Sequence, residues 1–324
     1  MISNTVIRTS DDVTAAWLGK VLGQDVRDFR IRSGSANWSS QMIIEAQLSN
    51  GTIRPPRLKV CLGRTFGRSE LDYYTRDYVD MPDAPLVSCL DAQFDPTVGY
   101  HLLLEDLAST HRDRKDAVPS LEYGIAVADA LGRMHRFHWE SRPALHDTTL
   151  DRYFNEVRPG VAGMEQATGR SMRQRFQRHE KAFRERWSNP VGMSLLHGDL
   201  NSTNLLTPRN AEAPVYFLDR QPFDWSLTYG VAVSDLAYFM ILWWPEQSRR
   251  DCELAVLRQW HKSVDAPDYS WDQAKADWRL SVEQCLNVPF EWCSKAASLD
   301  RMRWLWEIQL ARVEDAMSQP CSDG

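Results

Sequence analysis

Three polar residues that could do chemistry together stand beside short apolar runs in the second half of the sequence. Asp199 and Asn204 lie five residues apart in LLHGDLNSTNLL (195–206), and Asp219 ends the run VYFLD. The flanking leucines predict a loop anchored in the core at both ends, and Asp219 is predicted to emerge from a buried strand. One carboxylate could then accept a proton, while an amide oxygen and a second carboxylate hold a hard cation such as Mg²⁺. Phosphoryl transfer needs this combination.

The first third of the sequence is predicted to supply an antiparallel sheet and short helices. A helix is expected after Ser10 or Asp11 as the N-cap, and Gly23 should end it. Residues 28–63 resemble three strands, joined by a small-residue turn and then by an Asn-Gly hairpin turn, with Lys59 on the third strand. Two further segments follow: a helix, SELDYYTRDYV (69–79), and a buried strand, VGYHLLLEDL (98–107).

From about residue 108 onward the pattern becomes helical. Helices are predicted at 120–139, 271–286 and 301–317, and short strands at 195–196 and 215–218. One face of the first helix should be apolar, and it comprises Leu121, Ile125, Ala128, Leu131 and His135. We therefore expect an α+β fold with a small antiparallel-sheet lobe, a larger mainly helical lobe and a cleft between them.

Composition excludes several classes of function. The 324 residues carry a net charge of −6, which disfavours a nucleic-acid binder because such a protein needs a concentrated basic face. The six cysteines have no zinc-site spacing and are expected to be free thiols. No secretory signal is recognisable, and the most apolar run, VAVSDLAYFMILWW, is too short for a membrane span. A cytoplasmic protein without nucleic-acid or membrane partners is expected; the oligomeric state stays open.

The ordered motifs resemble a known family. LLLEDL, LLHGDLNSTNLL, LDRQ and SDLAYFMIL occur in the order and at distances similar to those of the aminoglycoside phosphotransferase and choline kinase superfamily, which is related to protein kinases. Among its members, the ecdysteroid-kinase-like branch is the most similar. The resemblance covers nearly the whole chain and implies a protein-kinase-like bilobal fold. Residues 1–107 would form the nucleotide-binding N-lobe with its hinge, and residues 108–324 the helical C-lobe with the catalytic loop, the metal site and the acceptor pocket.

The resemblance also implies roles for individual residues in a reaction that uses ATP and Mg²⁺. Asp199 would be the catalytic base, and Asn204 and Asp219 would hold the metal. Lys59 would bind the nucleotide phosphates and pair with Glu70. The remaining implied roles are a bracing role for His197, a link from Asp235 to the catalytic loop, phosphate contacts from Ser33, Gly34 and Ser35, and adenine contacts from the backbone of Glu105 and Leu107 in front of Leu104.

Two positions depart from the family's pattern. The phosphate-covering segment SGSANWSSQ (33–41) has Gly34 but lacks a second glycine, so either serine hydroxyls such as those of Ser35, Ser39 and Ser40 replace glycine backbone contacts, or the loop binds phosphates weakly. Arg220 follows Asp219 where an aromatic or aliphatic residue is usual, and it is expected to pair with an acid or to face the acceptor.

Three functions fit these observations. The leading hypothesis is an ATP-dependent kinase for a small-molecule alcohol. The alternatives are an aminoglycoside-type antibiotic phosphotransferase and a nucleotide-binding pseudokinase scaffold. Nine of the thirteen tryptophans lie at position 225 or beyond. We therefore predict a largely apolar or aromatic-accommodating acceptor, held beside the tryptophan-rich helices after residue 240.

Overall fold

The computed structural model describes residues 5–35, 38–115, 117–141, 150–210 and 213–319. The strands are β1 Val26–Ser35, β2 Ser40–Leu48, β3 Ile53–Arg54, β4 Arg57–Leu62, β5 Cys89–Asp95, β6 Gly99–Leu104, β7 His111–Arg112, β8 Met193–Leu195, β9 Leu205–Pro208, β10 Tyr216–Phe217 and β11 Tyr229–Val231. The helices are α1 Ala15–Leu22, α2 Ser69–Asp72, α3 Leu121–Phe137, α4 Leu150–Thr168, α5 Arg173–Trp187, α6 Val233–Trp243, α7 Glu246–Val264, α8 Trp271–Gln284, α9 Asn287–Cys293, α10 Ala296–Arg301 and α11 Arg303–Ser318.

The chain divides into two compact units, each with its own secondary structure. The first comprises residues 1–112 together with 206–224, and the second comprises residues 113–205 and 225–324. The first is built on antiparallel sheet and the second is mainly helical, so the predicted α+β fold class is confirmed. The predicted lobe boundary at 107/108 falls close to the first break, and residues 206–224 belong to the same unit as the N-terminal sheet.

A six-stranded antiparallel sheet forms the frame of the first unit. Its order is β1-β2-β4-β6-β5, with the short β3 paired to β2. Buried residues alternate along β2, as expected of a strand with one face on the core, and every residue of β6 is buried. α1 covers one face, where Trp17 and Leu18 join the core and the Trp17 indole donates a 3.1 Å hydrogen bond to Asp91. Lys59 belongs to β4, which lies between β2 and β6 and is therefore a central strand of the sheet.

The start of α1 differs from the prediction. Ser10 and Asp11 form a short 3₁₀ turn, and the N-cap of α1 is Thr14, whose hydroxyl accepts a 3.1 Å hydrogen bond from the Trp17 N–H. The predicted end is confirmed: Gly23 has a φ of 67°, in the left-handed region that glycine adopts without strain. The residues of the 3₁₀ turn fit the same capping pattern as the start of an α-helix, so the predicted start lies several residues before the observed one.

Helix packing builds the second unit around the almost fully buried α6. The run that is too short for a membrane span is this helix, and no helix in the described stretches of the chain is long and apolar enough to cross a bilayer. α4 crosses α9 very closely, since a Cβ at Gly160 would lie 1.6 Å from the Phe290 carbonyl oxygen. In α3 the predicted apolar face is only partly correct: Leu121 is exposed, whereas Leu131 and His135 are buried.

Among the described residues, the cysteines are free thiols, as predicted: Cys61, Cys89, Cys252, Cys285 and Cys293. Cys321 lies outside the described residues. All but Cys89 are buried, and burial raises the pKa of Cys61 to about 12, so this thiol stays protonated near neutral pH.

Candidate active site

Within the first unit, the structure brings Lys59, Glu70 and Asp219 together. Lys59 lies on β4, Glu70 on α2, and Asp219 just after β10. The Lys59 Nζ is 2.8 Å from Glu70 Oε1 and 2.9 Å from Asp219 Oδ1. The predicted Lys59–Glu70 pair is present. The contact between Lys59 and Asp219 was not predicted, because nothing in the sequence relates two residues that are 160 positions apart.

Burial and charge set the ionisation of this triad. Burial raises the pKa of the Glu70 carboxyl to about 7, and the charge of Asp219 adds to this, while Lys59 and a hydrogen bond from the Tyr100 hydroxyl oppose it. Burial by itself would lower the pKa of Lys59, but the two carboxylates outweigh it and raise that pKa. Lys59 is therefore a persistent positive charge, suited to phosphate oxygens.

Asp219 is held in an uncommon backbone conformation. Its φ of 54° lies in the left-handed region, which costs free energy for residues other than glycine but is tolerated best by Asp and Asn. The Asp219 N–H donates a 3.3 Å hydrogen bond to the Tyr74 hydroxyl, on the helical segment that follows α2. This turn directs the carboxylate towards Lys59.

In the second unit, Asp235 at the start of α6 anchors the loop that carries Asp199. The Asp235 carboxylate accepts the N–H groups of His197 at 2.6 Å and Gly198 at 2.8 Å. Gly198 has a φ of 76°, which glycine permits and which turns both N–H groups to the same carboxylate. The predicted link from Asp235 to the loop that carries Asp199 is thus observed.

A buried histidine supports Asp235 from α3. The indole N–H of Trp260 donates a 3.0 Å hydrogen bond to His135 Nδ1, so the proton of the neutral ring is on Nε2, which is 3.2 Å from Asp235 Oδ2. Burial by itself would raise the pKa of Asp235, but the hydrogen bond from His135 Nε2, together with the neighbouring His197 and the Gly198 N–H, holds it below its usual value. Asp235 is therefore ionised near neutral pH.

Three neighbouring side chains orient the Asp199 carboxylate. The Tyr238 hydroxyl donates to Oδ1 at 2.7 Å and the Asn201 amide donates to the same oxygen at 3.2 Å. The Asn204 amide donates to Oδ2 at 3.1 Å and to the Asp199 carbonyl at 2.8 Å. Sequence reasoning missed Tyr238 and Asn201. Tyr238 could have been found, because it lies one helical turn after Asp235 on the same face of α6.

The two residues predicted to hold a metal have suitable ligand atoms. The amide nitrogen of Asn204 donates to Asp199, and its amide oxygen, which accepts a 3.4 Å hydrogen bond from the Thr203 hydroxyl, is an atom of the type that Mg²⁺ binds; Asp219 contributes a partly exposed carboxylate. Among the described residues no group of three His, Cys, Asp or Glu side chains forms a ready metal cage. Mg²⁺ does not need one, since it commonly binds one or two protein oxygens together with substrate phosphates.

The other predicted nucleotide-binding residues lie on the sheet and its connector. Ser33, Gly34 and Ser35 end β1 and pair with Met42, Gln41 and Ser40 of β2; residues 36–37 of the same segment lie outside the described residues. Glu105 and Leu107 follow the buried β6. The Glu105 N–H donates to the Ser88 carbonyl at 3.0 Å, and the Leu107 carbonyl accepts the His111 N–H at 2.8 Å. Their roles towards a nucleotide stay predictions.

Comparison with known families identifies the chain. The sequence model of the APH phosphotransferase enzyme family matches residues 71–275, well over half of the chain, including Asp199, Asn204, Asp219 and Asp235. The chain belongs to the phosphotransferase enzyme family. No curated protein sequence matches this phosphotransferase.

Solved structures share its fold at low sequence identity. A microcompartment-associated aminopropanol kinase is 14% identical with a TM-score of 0.58, over 94% of this chain and 98% of the other. The Plasmodium vivax ethanolamine kinase Pv091845 is 10% identical with a TM-score of 0.55, over 97% and 90%. The amicoumacin kinase hAmiN, whose structure contains AMP-PNP and Ca²⁺, is 11% identical with a TM-score of 0.57, over 96% of both chains. The protein-kinase-like architecture is thereby confirmed.

Four of the eight tryptophans after residue 240 are buried in the core of this phosphotransferase. Trp244, Trp260, Trp278 and Trp306 are among the most deeply buried side chains. They pack helix against helix, so the tryptophan count gives little support to the predicted aromatic lining. Tyr153 and Trp225 form a partly exposed aromatic pair in the same unit, and their rings stack at 6.4 Å between centroids.

A second acidic side chain, Glu291 on α9, lies within electrostatic reach of Asp199. Burial raises the pKa of Glu291 to about 8, the charges of Asp199 and Glu156 add to the effect, and Lys295 opposes it. The charge of Glu291 also acts on the hydroxyl groups of Tyr153 and Tyr238. At neutral pH Glu291 is therefore mostly protonated and able to donate a hydrogen bond. Sequence reasoning did not single out this residue.

Proposed function

We propose that this phosphotransferase uses ATP and Mg²⁺ to phosphorylate a hydroxyl group of a small molecule. The observation that carries the proposal is the arrangement around Asp199: a carboxylate oriented by three side chains, on a loop held by a buried aspartate. A scaffold that only binds nucleotides would have no use for an oriented proton acceptor.

The residues of the chain divide the chemistry between them. Asp199 orients the acceptor hydroxyl and takes its proton as the oxygen bonds to the γ-phosphorus and the bond to the leaving ADP oxygen breaks. Lys59 neutralises charge on the nucleotide phosphates, and Glu70 keeps the lysine in place. Asn204 and Asp219 would hold Mg²⁺, which when bound neutralises charge on the phosphoryl oxygens.

The adenine edge would meet the connector after β6. Because the Glu105 N–H and the Leu107 carbonyl already bind other backbone groups, the nucleotide would use the Glu105 carbonyl and the Leu107 N–H. One acceptor and one donor, two residues apart, match the amino group and ring nitrogen of adenine. This pairing supports ATP over GTP, whose base presents a carbonyl and a ring N–H at the same edge.

For the acceptor we propose an alcohol with an apolar or aromatic part and no dense positive charge. The stacked Tyr153 and Trp225 would offer an aromatic surface, in place of the tryptophans that lie in the core. A Glu291 that is protonated near neutral pH would meet a neutral acceptor without an unpaired charge. Membership of the ecdysteroid-kinase-like branch stays a prediction that rests on the sequence motifs.

A substrate screen tests the proposal. The protein is incubated with Mg-ATP and a panel of alcohols that includes sterols, aromatic alcohols, amino alcohols and amino sugars, and each acceptor is examined by mass spectrometry for the gain of one phosphoryl group. The rate for any acceptor found should fall about 10²–10⁴-fold in Asp199→Asn with little change in nucleotide affinity. The exposed Asp300→Asn is the matched control and should retain full activity. An unchanged rate in Asp199→Asn would refute the proposed base, and a preference for polycationic amino sugars would refute the proposed acceptor class.

A further inference from the structure

A buried ion pair ties the residue after Asp219 to the helical segment that follows Glu70. Arg220 is fully buried, and its Nη1 lies 2.6 Å from Asp77 Oδ2. The Asp77 side chain is only 6% exposed. The guanidinium carbon also lies 5.5 Å from the centre of the Tyr73 ring, within the range of a cation–π contact.

Asp77 and Tyr73, which contact Arg220, belong to one π-helical segment, Tyr73–Asp77, which continues directly from α2. Segments of π-helix are rare and often stand at functional sites. The same segment supplies Tyr74, whose hydroxyl accepts the Asp219 N–H. Asp219 and Arg220 are therefore attached to this segment twice, once through the backbone and once through the side chain.

These contacts close a ring around Lys59. Glu70 and Asp219 both bind the lysine, and the chain segments that carry them are joined a second time by the Arg220–Asp77 pair. An apolar residue at position 220 would avoid the cost of desolvating a guanidinium, which makes the buried pair a weak contributor to stability. What the pair provides, and an apolar side chain cannot, is a directional link between the two segments.

We propose that Arg220 and Asp77 are positioning residues that fix Glu70 and Asp219 relative to Lys59. The inference rests on the proposed function, because it concerns the site that would hold the nucleotide phosphates and the metal. The inference goes beyond the proposed function because it assigns a role to Arg220, the residue that departs from the family's motif. Its ion pair with Asp77 builds the active geometry of Lys59, Glu70 and Asp219 into the fold. Supporting residues of this kind typically change metal affinity or activity by about 10–100-fold when lost.

A double variant separates positioning from stability. Arg220→Met alone leaves Asp77 buried without its cation and is expected to unfold easily, whereas Arg220→Met with Asp77→Leu removes both charges and should fold with a melting temperature near that of the parent. We expect this double variant to bind Mg-AMP-PNP about 10–100-fold more weakly than the parent. Arg220→Lys keeps a cation for Asp77 and should recover part of the affinity. A matched control, Arg32→Met with Glu45→Gln, removes an exposed ion pair of the same unit and should change neither quantity.

Hydrogen exchange supplies a readout that does not depend on nucleotide. In the folded double variant, amides of residues 69–78 and 216–221 should exchange faster than in the parent, while those of α1 should not change. If the parent binds no nucleotide, the proposed function fails, and the exchange result still decides whether the pair couples the two segments. Parent-like nucleotide affinity in the folded double variant, or unchanged exchange in both segments, would overturn the inference.

Discussion

Replacement of Asp235 should remove the hydrogen bonds that hold the loop carrying Asp199 to the start of α6. The Asp235 carboxylate is 2% exposed and accepts three hydrogen bonds, from the N–H groups of His197 and Gly198 and from His135. In Asp235→Ala, the two backbone N–H groups lose their partner. At about 1–3 kcal/mol for each unsatisfied group, the free energy of unfolding should fall by about 2–6 kcal/mol. Asp235→Asn keeps one acceptor oxygen, so about half of that loss is expected.

The loss should depend on pH in a defined direction. The pKa of Asp235 lies below its usual value in the folded protein, because its hydrogen bonds and the neighbouring histidines outweigh its burial. A carboxyl with a depressed pKa adds stability above its unfolded pKa, and this contribution disappears as the pH falls through the folded pKa. The difference between the parent and Asp235→Asn should therefore be largest near neutral pH and shrink below about pH 4.

Urea denaturation measures this effect. Tryptophan fluorescence follows the unfolding of the core, to which Trp260 beside His135 belongs, and circular dichroism checks the helices. Asp272→Asn is the matched control, because the Asp272 side chain is 90% exposed, and its denaturation midpoint should equal that of the parent. Equal midpoints for the parent and Asp235→Ala at neutral pH would refute the argument that this carboxylate anchors the loop.

Three further outcomes are expected. Asp219→Ala should abolish turnover and weaken Mg-nucleotide binding in a folded protein, as measured by calorimetry, because the proposed metal ligand is lost; full activity would contradict the proposed kinase mechanism. Since the pKa of Glu291 is raised to about 8, the folded state holds a proton that the unfolded state releases above about pH 4.5, so stability falls as pH rises from there to about 8. In Glu291→Gln the melting temperature should no longer fall over this pH range. A pH profile of melting temperature equal to that of the parent would contradict the argument that Glu291 holds a proton in the folded state. Gly160→Ala should lower the free energy of unfolding by about 1–3 kcal/mol or more, because the added Cβ would clash with the Phe290 carbonyl. The control Ala162→Gly, at an exposed position of the same helix, should lower it by only about 1 kcal/mol. A Gly160→Ala variant more stable than the parent would disprove the close contact between α4 and α9.

Local patterns in the sequence were enough for the types of the elements that were predicted and for the order of the motifs, whereas helices such as α4, α5 and α7 were not predicted. Alternating burial on β2, the apolar run of β6 and the amphipathic stretches of α3, α8 and α11 depend on residues within a few positions of one another. The same holds for Asn204 beside Asp199, since a tight polar loop between leucines places both on one turn. These features were predictable because short-range sterics and the hydrophobic period determine them.

Where local signals in the sequence were ambiguous, the predictions made from them were wrong in detail. The capping pattern of residues 9–14 fits either Ser10 or Thr14 as the start of a helix, and packing of Trp17 on the sheet favours the later start. The tryptophan-rich composition after residue 240 fits a ligand surface and a helical core equally well. Only the packing of the helices decided that Trp244 and Trp260 belong to the core.

Contacts between distant positions were decided by tertiary structure alone. The pairing of Asp219 with Lys59, of Arg220 with Asp77 and of Tyr238 with Asp199 joins residues whose separation in sequence carries no periodic signal. Each contact depends on where the strands and helices come to rest when they bury their apolar faces, which is a property of the whole fold. The sequence by itself therefore determined which residue types could do the chemistry, and tertiary packing decided which of them meet and how each is charged.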